Sequence, residues 1–203
     1  MISISFLCSA YAVERPTNEL PMYGGQHNPT VATNKSNSKS AADLGWKYFN
    51  SGDFDTAIKR FNQAWMFDRE NVDAYWGFGL IMGQRARNED TENNLRESIK
   101  YLGMAKSRSP QNGRILVDLA FSHTVLGELL HTKNINAQEE FNTARALYKQ
   151  AEKLEPAYPL VYSNWSVLEF YAGNYSVAKN LLAKSKTLGF KPDPSYEKDL
   201  GSK

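Results

Sequence analysis

The apolar residues between Ala41 and Phe67 fall on two stripes at helical spacing, separated by the turn Asn50-Ser51-Gly52-Asp53. The stripes consist of Leu44, Gly45 and Tyr48 before the turn, and Ala57, Phe61, Ala64 and Phe67 after it. This pattern predicts two amphipathic helices joined as a hairpin. Because a single hairpin cannot bury its own apolar face, the rest of the chain is expected to cover it.

The second helix of this hairpin has a small residue, a large one four positions later, and a small one three positions after that. The spacing recurs in Ala57-Phe61-Ala64, Ser98-Leu102-Ala105, Ala144-Tyr148-Ala151 and Ala178-Leu182-Ser185. Each copy follows a helix that carries a large residue and then a small one: Leu44-Gly45, Phe78-Gly79, Leu119-Ala120 and Trp165-Ser166. Small residues let two helices approach closely, and the large residue fills the hole between them. The recurrence predicts a stack of helical hairpins.

At these residues the sequence resembles the tetratricopeptide repeat (TPR) family. The first copy carries the family pattern at Leu44, Gly45, Tyr48, Gly52, Phe54, Ala57, Phe61 and Ala64, and the fourth carries it at Gly173, Tyr175 and Ala178. The resemblance implies an all-α right-handed superhelix of four hairpins, about eight helices, over residues 39–190, with copies near 38–71, 72–110, 113–156 and 159–190. Copies two and three are longer than the family's period of about 34 residues. About seven extra residues lie near 85–93 and about twelve near 129–138.

The flanks of the repeats have a different composition. Residues 13–38 are rich in Pro, Gly, Ser, Thr and Asn and have no helical period, which predicts a flexible, disordered arm. Residues 191–203 are predicted to form a tail with a short helical turn near 196–200. The apolar cluster Leu20–Gly25 either docks on a folded surface or remains a patch in the arm. The segment from Glu19 to Gly25 also resembles the arm preceding the repeats in some exported bacterial TPR proteins of unassigned function. Helix starts are predicted at the pairs Ser40/Asp43, Asn94/Glu97 and Asn136/Glu139, and Pro110 and Pro156 are expected in the first turn of the helix that follows each of them.

Residues 1–12 resemble an export signal, because an apolar run from residue 2 ends in the small-x-small sequence Ala10-Tyr11-Ala12. No basic residue precedes the run, so a plain N-terminal extension remains the alternative, and Cys8 leaves a lipoprotein interpretation open. The pattern predicts an exported protein in the bacterial periplasm or envelope, against a cytoplasmic one. No run reaches the roughly 20 apolar residues of a stable membrane span.

The composition narrows the function further. The chain has 203 residues, 24 Lys and Arg against 22 Asp and Glu, and a net charge of +2, which gives no general field for nucleic acid. Its three histidines, His27, His123 and His131, lack metal-ligand spacing, and no phosphate-binding or nucleophile motif occurs. We therefore expect no cofactor, no metal and no catalytic activity.

The resemblance implies a concave groove, lined by the first helix of each copy, as the binding surface. The groove-facing positions are Trp46, Phe49 and Asn50; Trp76, Leu80 and Gln84; Arg114, Val117 and Phe121; and Asn164, Phe170 and Tyr171. Aromatic side chains and Arg are frequent anchors for bound peptides. Family members that clamp the acidic tails of heat-shock chaperones use Lys, Asn and Arg at positions that read Ala42, Trp46, Gly77, Arg114 and Asp118 here, so that clamp is not expected.

The sequence thus predicts a noncatalytic scaffold that binds a peptide or helix in the aromatic groove. The alternative is a self-associating structural protein, a homodimer among the options, in which Leu20–Gly25 fills the groove of its own or a neighbouring chain. Some groove residues could instead pack internally.

Overall fold

The computed structural model describes residues 14–25 and 31–203. This part of the chain is helical and without strands. The helices are α1 (Lys35–Asn50), α2 (Phe54–Phe67), α3 (Val72–Arg85), α4 (Thr91–Arg108), α5 (Gly113–Thr132), α6 (Gln138–Leu154), α7 (Pro159–Tyr171), α8 (Tyr175–Thr187) and α9 (Pro194–Gly201). Short turns at Thr17–Glu19 and Pro21–Gly25 precede them. The predicted export signal and Cys8 lie outside the described residues.

Helices α1 to α8 pair in sequence order into four antiparallel hairpins, and each hairpin packs against the next. The predicted all-α solenoid of four hairpins is therefore confirmed. The tail forms the short helix that was expected near residues 196–200. Helix α9 packs on α8 through the buried Leu200, and the hydroxyl groups of Tyr196 and Ser166 lie 2.6 Å apart, so the apolar end of the last repeat is covered.

The repeated small residues mark the places where helices approach most closely. The ring of Phe61 on α2 is fully buried between Gly45 on α1 and Gly77 on α3. A Cβ atom on Gly45 would lie 2.6 Å from this ring, and one on Gly77 would lie 2.3 Å from it. Phe61 therefore joins the first hairpin to the second, and only glycine fits on either side of it.

The extra residues of copies two and three lengthen helices and do not form long loops. Helix α4 has 18 residues and α5 has 20, whereas α7 and α8 have 13 each. The connections within these two hairpins cover only residues 86–90 and 133–137. The insertions thus extend the two middle hairpins.

Two of the three helix starts predicted from capping pairs are wrong, and the helices α5 and α7 begin at Gly113 and Pro159, three residues after Pro110 and Pro156, so these prolines do not lie in the first turns. Helix α1 begins at Lys35, where Asn34 accepts a hydrogen bond from the backbone N–H of Asn37, so Ser40 is internal. Asn94 is likewise inside α4, which follows Asp90. The third lies within two residues of the observed start, since Asn136 accepts a hydrogen bond from the N–H of Gln138. Polar residues inside exposed helix turns produce the same spacing as a capping box, which explains the error.

Residues 14–25, predicted to belong to a flexible arm, are docked on the domain. The buried side chain of Asn62 on α2 donates hydrogen bonds to the carbonyl groups of Asn18 (3.0 Å) and Leu20 (2.9 Å). Arg15 binds the carboxylates of Asp55 and Glu89. We call residues 14–25 the docked arm.

The apolar part of the docked arm lies against the second helices. Pro21 is buried, and residues 20–25 border a hollow whose other wall is formed by Tyr101 and Met104 of α4 and by Met82. The arm therefore packs on α2, and the hollow lies between it and α4. For the described residues, the alternative that Leu20–Gly25 fills the first-helix groove of its own chain is wrong.

Candidate functional site

Two indole rings contact each other on the first helices of copies one and two. Trp46 on α1 and Trp76 on α3 meet edge to face with ring centroids 5.1 Å apart. Each indole N–H donates to a carboxylate on the next first helix, Trp46 to Asp73 on α3 at 3.0 Å and Trp76 to Asp118 on α5 at 2.7 Å. These bonds fix both rings, which are half-buried. The predicted residues Trp46 and Trp76 therefore lie together, partly exposed and rigidly held.

Next to Trp76 the helices α3 and α5 diverge around a cavity of about 580 Å³. The floor is the N-terminal half of α4, with Leu95 and Ser98 buried there. The lining residues are Leu80, Gly83, Gln84, Ala86, Arg87, Thr91, Leu95, Ser98, Asp118, Phe121, Ser122 and Val125. We call this space the α3–α5 cavity. It has the volume of a typical ligand site and is mainly apolar with a few polar groups.

Three of the predicted groove residues, Leu80, Gln84 and Phe121, line the α3–α5 cavity. Phe121 is 39% exposed, which is unusual for a phenylalanine ring and leaves an apolar face open at the cavity. The structure therefore brings residues of two different repeats together at one site.

Asp118 is the acidic group of the cavity lining. Burial raises the pKa of its carboxyl to about 6, while the hydrogen bond from Trp76 acts in the opposite direction. Ser98 and Ser122, whose hydroxyl oxygens lie 3.0 Å apart, also line the cavity. The Ser98 hydroxyl donates to the Gly79 carbonyl at 2.8 Å, and the Ser122 hydroxyl donates to the backbone carbonyl of Asp118 at 3.2 Å. The cavity thus combines apolar walls with one carboxylate whose charged form is disfavoured by burial.

The other predicted groove residues lie elsewhere. Phe49 packs between Trp46 and Phe54, and Asn50 is exposed at the end of α1. Arg114 is exposed with its guanidinium 5.0 Å from the ring centroid of Tyr158. Val117 is fully buried, so its predicted groove-facing position is wrong.

In the last repeat, Phe170 makes edge contacts with Tyr171, Tyr175 and Tyr196 and thereby packs under α9. Asn164 is half-buried beside the hydroxyl of Ser163. The fourth-copy residues therefore do not join the α3–α5 cavity, which is built from copies two and three.

Sequence reasoning did not assign a binding role to Asp118, Gly83, Ser98, Ser122 or Val125. The position of Asp118 could have suggested a binding role, because the family contacts ligands at this position. Its carboxylate differs from the basic residues of the chaperone clamp, so the sequence argument used it only to exclude that clamp. The buried lining residues of α4 carried no signal, because helix α4 is a second helix.

Among residues 14–25 and 31–203, no group of three or more His, Cys, Asp or Glu side chains is placed to hold a metal ion. His123 Nδ1 lies 2.5 Å from a carboxylate oxygen of Glu140 on the neighbouring helix. Within the same residues, none of the helices is long and apolar enough to cross a membrane.

Solved structures with a similar fold include MamA and TTC0263, a TPR protein of Thermus thermophilus. A MamA crystal structure aligns with a TM-score of 0.57 and 16% identity, over 75% of this chain and 78% of MamA. TTC0263 aligns with a TM-score of 0.53 and 16% identity, over 81% of this chain and 97% of that one. No protein-family model and no curated protein matches the sequence. The chain has a TPR-type fold.

Proposed function

We propose that this protein is a noncatalytic interaction module that binds a segment of a partner protein across the concave face of its first helices. The observation that carries the proposal is the α3–α5 cavity, where Leu80, Gln84 and Phe121 from two repeats surround one partly apolar space. The TPR-type fold supports it, since solenoids of this kind present extended concave surfaces to partners.

The rigidity of the site favours peptide binding. Trp46 and Trp76 are held by their indole hydrogen bonds and by mutual contact, so they lose little conformational entropy when a ligand covers them. The exposed ring of Phe121 lies farther along the same face and offers a second apolar anchor. An apolar residue of an extended or helical segment would fill the α3–α5 cavity between these anchors. We expect a Kd in the micromolar range, which corresponds to a binding free energy of about −8 kcal/mol.

Filling the cavity from within tests this proposal without removing any packed side chain. A Cβ atom on Gly83 would meet only the Ser98 hydroxyl at 3.4 Å, so Gly83→Leu projects a side chain into the cavity. Gly103 is the matched control, because it is also inside a helix and a Cβ atom there has no neighbour within 4 Å. Both substitutions favour helix formation.

The ligand for this test comes from selection on the wild-type protein with a displayed library of random 12-residue peptides. We expect Gly83→Leu to weaken binding of the selected peptides at least tenfold in fluorescence anisotropy, and Gly103→Leu to leave the Kd unchanged. Failure of the wild type to select any peptide, or equal binding by both variants, would contradict groove binding.

We also propose that the protein is exported to the bacterial periplasm or envelope. The apolar run after residue 2 and the sequence Ala10-Tyr11-Ala12 support this location. Expression of the full chain in a Gram-negative host, followed by mass spectrometry of the purified protein, tests it. A mature N-terminus at Val13 would support export, and an intact residue 1 would refute it.

A further inference from the structure

We infer that the partner segment presents a Lys or Arg side chain, flanked by apolar residues, and that its cation binds the carboxylate of Asp118 in the α3–α5 cavity. This inference rests on the proposed function and specifies the chemistry of the ligand. The flanking apolar residues would cover Leu80, Phe121 and Val125, which line the same cavity on α3 and α5.

The carboxylate of Asp118 has no basic partner among the described residues. Its Oδ2 atom accepts one hydrogen bond, from the indole of Trp76. Arg114, one turn earlier on α5, lies over the ring of Tyr158 instead. Arg87 is exposed at the rim of the cavity, with its Nη1 atom 3.5 Å from the side-chain oxygen of Gln84. The protein thus leaves a carboxylate at the cavity with a neutral donor only.

A partly buried carboxylate in apolar surroundings is unfavourable unless a cation or several donors reach it. A guanidinium or ammonium group from the ligand would supply a charge-assisted hydrogen bond, the stronger kind. The hydroxyl groups of Ser98 and Ser122 line the same cavity and donate to the backbone carbonyl groups of Gly79 and Asp118, so they still have acceptor lone pairs. The binding of a basic side chain would therefore satisfy the polar part of this cavity.

The cavity also selects among cations. The lining offers one carboxylate, and its other oxygen ligands are neutral: the hydroxyl groups of Thr91, Ser98 and Ser122 and the amide of Gln84. A single anionic ligand is too little for a dedicated metal site, and the described residues contain no metal-binding cluster of His, Cys, Asp or Glu. The apolar walls formed by Leu80, Leu95 and Val125 suit the methylene stem of a Lys or Arg side chain, which packs along apolar surface while its charged end finds a polar partner. A peptide side chain fits better than an inorganic ion.

The test compares Asp118→Asn with Asp73→Asn. The amide oxygen that Asp118→Asn introduces can still accept the Trp76 hydrogen bond, so the charge is removed and the geometry is kept. Asp73 is the matched control, because it accepts the corresponding bond from Trp46 at 3.0 Å but does not line the cavity. The probes are the peptides selected on the wild type and their analogues with each Lys or Arg replaced by Gln.

We expect the selected peptides to be enriched in a Lys or Arg between apolar residues. Replacing that residue by Gln should raise the Kd of the wild type at least tenfold, with the same loss in Asp73→Asn and almost none in Asp118→Asn. In ¹⁵N spectra of the wild type, the Trp76 indole signal should shift with the basic peptide and less with its Gln analogue.

Three results would overturn the inference. Selected peptides that lose binding in Gly83→Leu but lack a basic residue, or a basic preference that survives in Asp118→Asn, would refute it and leave the proposed function intact. If the wild type selects no peptide, the proposed function and this inference both fail.

Discussion

Trp76 and Asp118 connect two repeats through one hydrogen bond of 2.7 Å, from the indole N–H to the carboxylate Oδ2 atom. The bond orients the indole ring on the concave face and stabilises the charged form of a carboxyl group whose surroundings disfavour it. A partly buried carboxylate without a basic partner lowers the stability of the folded protein, and such destabilising charges are frequent in binding sites.

The cost of this carboxylate should be visible as pH dependence of stability. The pKa of Asp118 is raised from 3.8 to about 6, so between these values the folded state binds more protons than the unfolded state. The contribution of Asp118 therefore becomes more favourable as pH falls from 7 to 4. At pH 7.5 we expect Asp118→Asn to be more stable than the wild type by about 3 kcal/mol at most. Urea unfolding at several pH values measures this difference.

The difference between Asp118→Asn and the wild type should shrink as the pH approaches 4.5. Trp76→Phe provides a second check, because it removes the hydrogen bond that opposes the rise in the pKa of Asp118, so the pH range of the effect should move upward. A constant difference between pH 7.5 and 4.5 would contradict this account.

Gly77 should tolerate no side chain. Its substitution by Ala would place a Cβ atom 2.3 Å from the fully buried ring of Phe61, which α1 holds from the other side. We expect a loss of about 3 kcal/mol in the free energy of unfolding. Gly103→Ala has open space and should gain about 0.5–1 kcal/mol from helix propensity. Recovery of stability in Gly77→Ala/Phe61→Leu would show that the ring contact is the cause, and equal stability of the two Ala variants would contradict it.

Asn62 should determine whether the docked arm stays in place. The substitution Asn62→Leu removes the donors to the carbonyl groups of Asn18 and Leu20 and should cost about 2 kcal/mol. Hydrogen exchange followed by mass spectrometry should then show fast exchange in residues 14–25, with little change in α5 to α8. Asn180→Leu, at an exposed position on α8, is the control and should leave the arm protected. Slow exchange in the arm of Asn62→Leu would show that other contacts suffice.

Glu169 should stabilise the last two repeats. Its buried carboxylate accepts hydrogen bonds from Arg145, Trp165 and Asn174. Burial alone would raise its pKa, but these donors outweigh burial, so the pKa of Glu169 is lowered. The contribution of Glu169 to stability is therefore fully present at pH values above its ordinary pKa of 4.5, and it is lost as the pH falls through the lowered pKa of the folded state. Glu169→Gln should cost about 3 kcal/mol at pH 7.

Thermal unfolding of Glu169→Gln and the wild type at pH 7 and pH 3 measures this contribution. The gap between the two should narrow at the lower pH because the wild type loses the contribution of Glu169 there, whereas the contribution of Asp118 to stability becomes more favourable as pH falls. Glu139→Gln, at an exposed position in the first turn of α6, is the control. A gap that stays constant with pH would contradict the charge argument.

Much of the fold could be predicted from spacing. Small and large residues at Ala57, Phe61 and Ala64 recur in every second helix, and all four hairpins were found where these triplets lie. Finer points were not predictable. Leu44 belongs to the first apolar stripe but is 41% exposed, because the stripe is wider than the face that the neighbouring helices cover. The docking of the arm involves hydrogen bonds from Asn62 on α2 and Arg85 on α3, polar residues that no periodicity argument selects.

The sequence by itself determined the repeat architecture, because the packing of a helical hairpin against its neighbours depends on local residue size at fixed spacing. It also indicated the first helices as the site of Trp46, Trp76, Leu80 and Phe121. Only the tertiary structure decided that α3 and α5 diverge above α4 to form a cavity, and that Trp76 and Asp118, 42 positions apart, share one hydrogen bond. The angle between neighbouring hairpins sets these distances, and it results from the packing of all contacting side chains together.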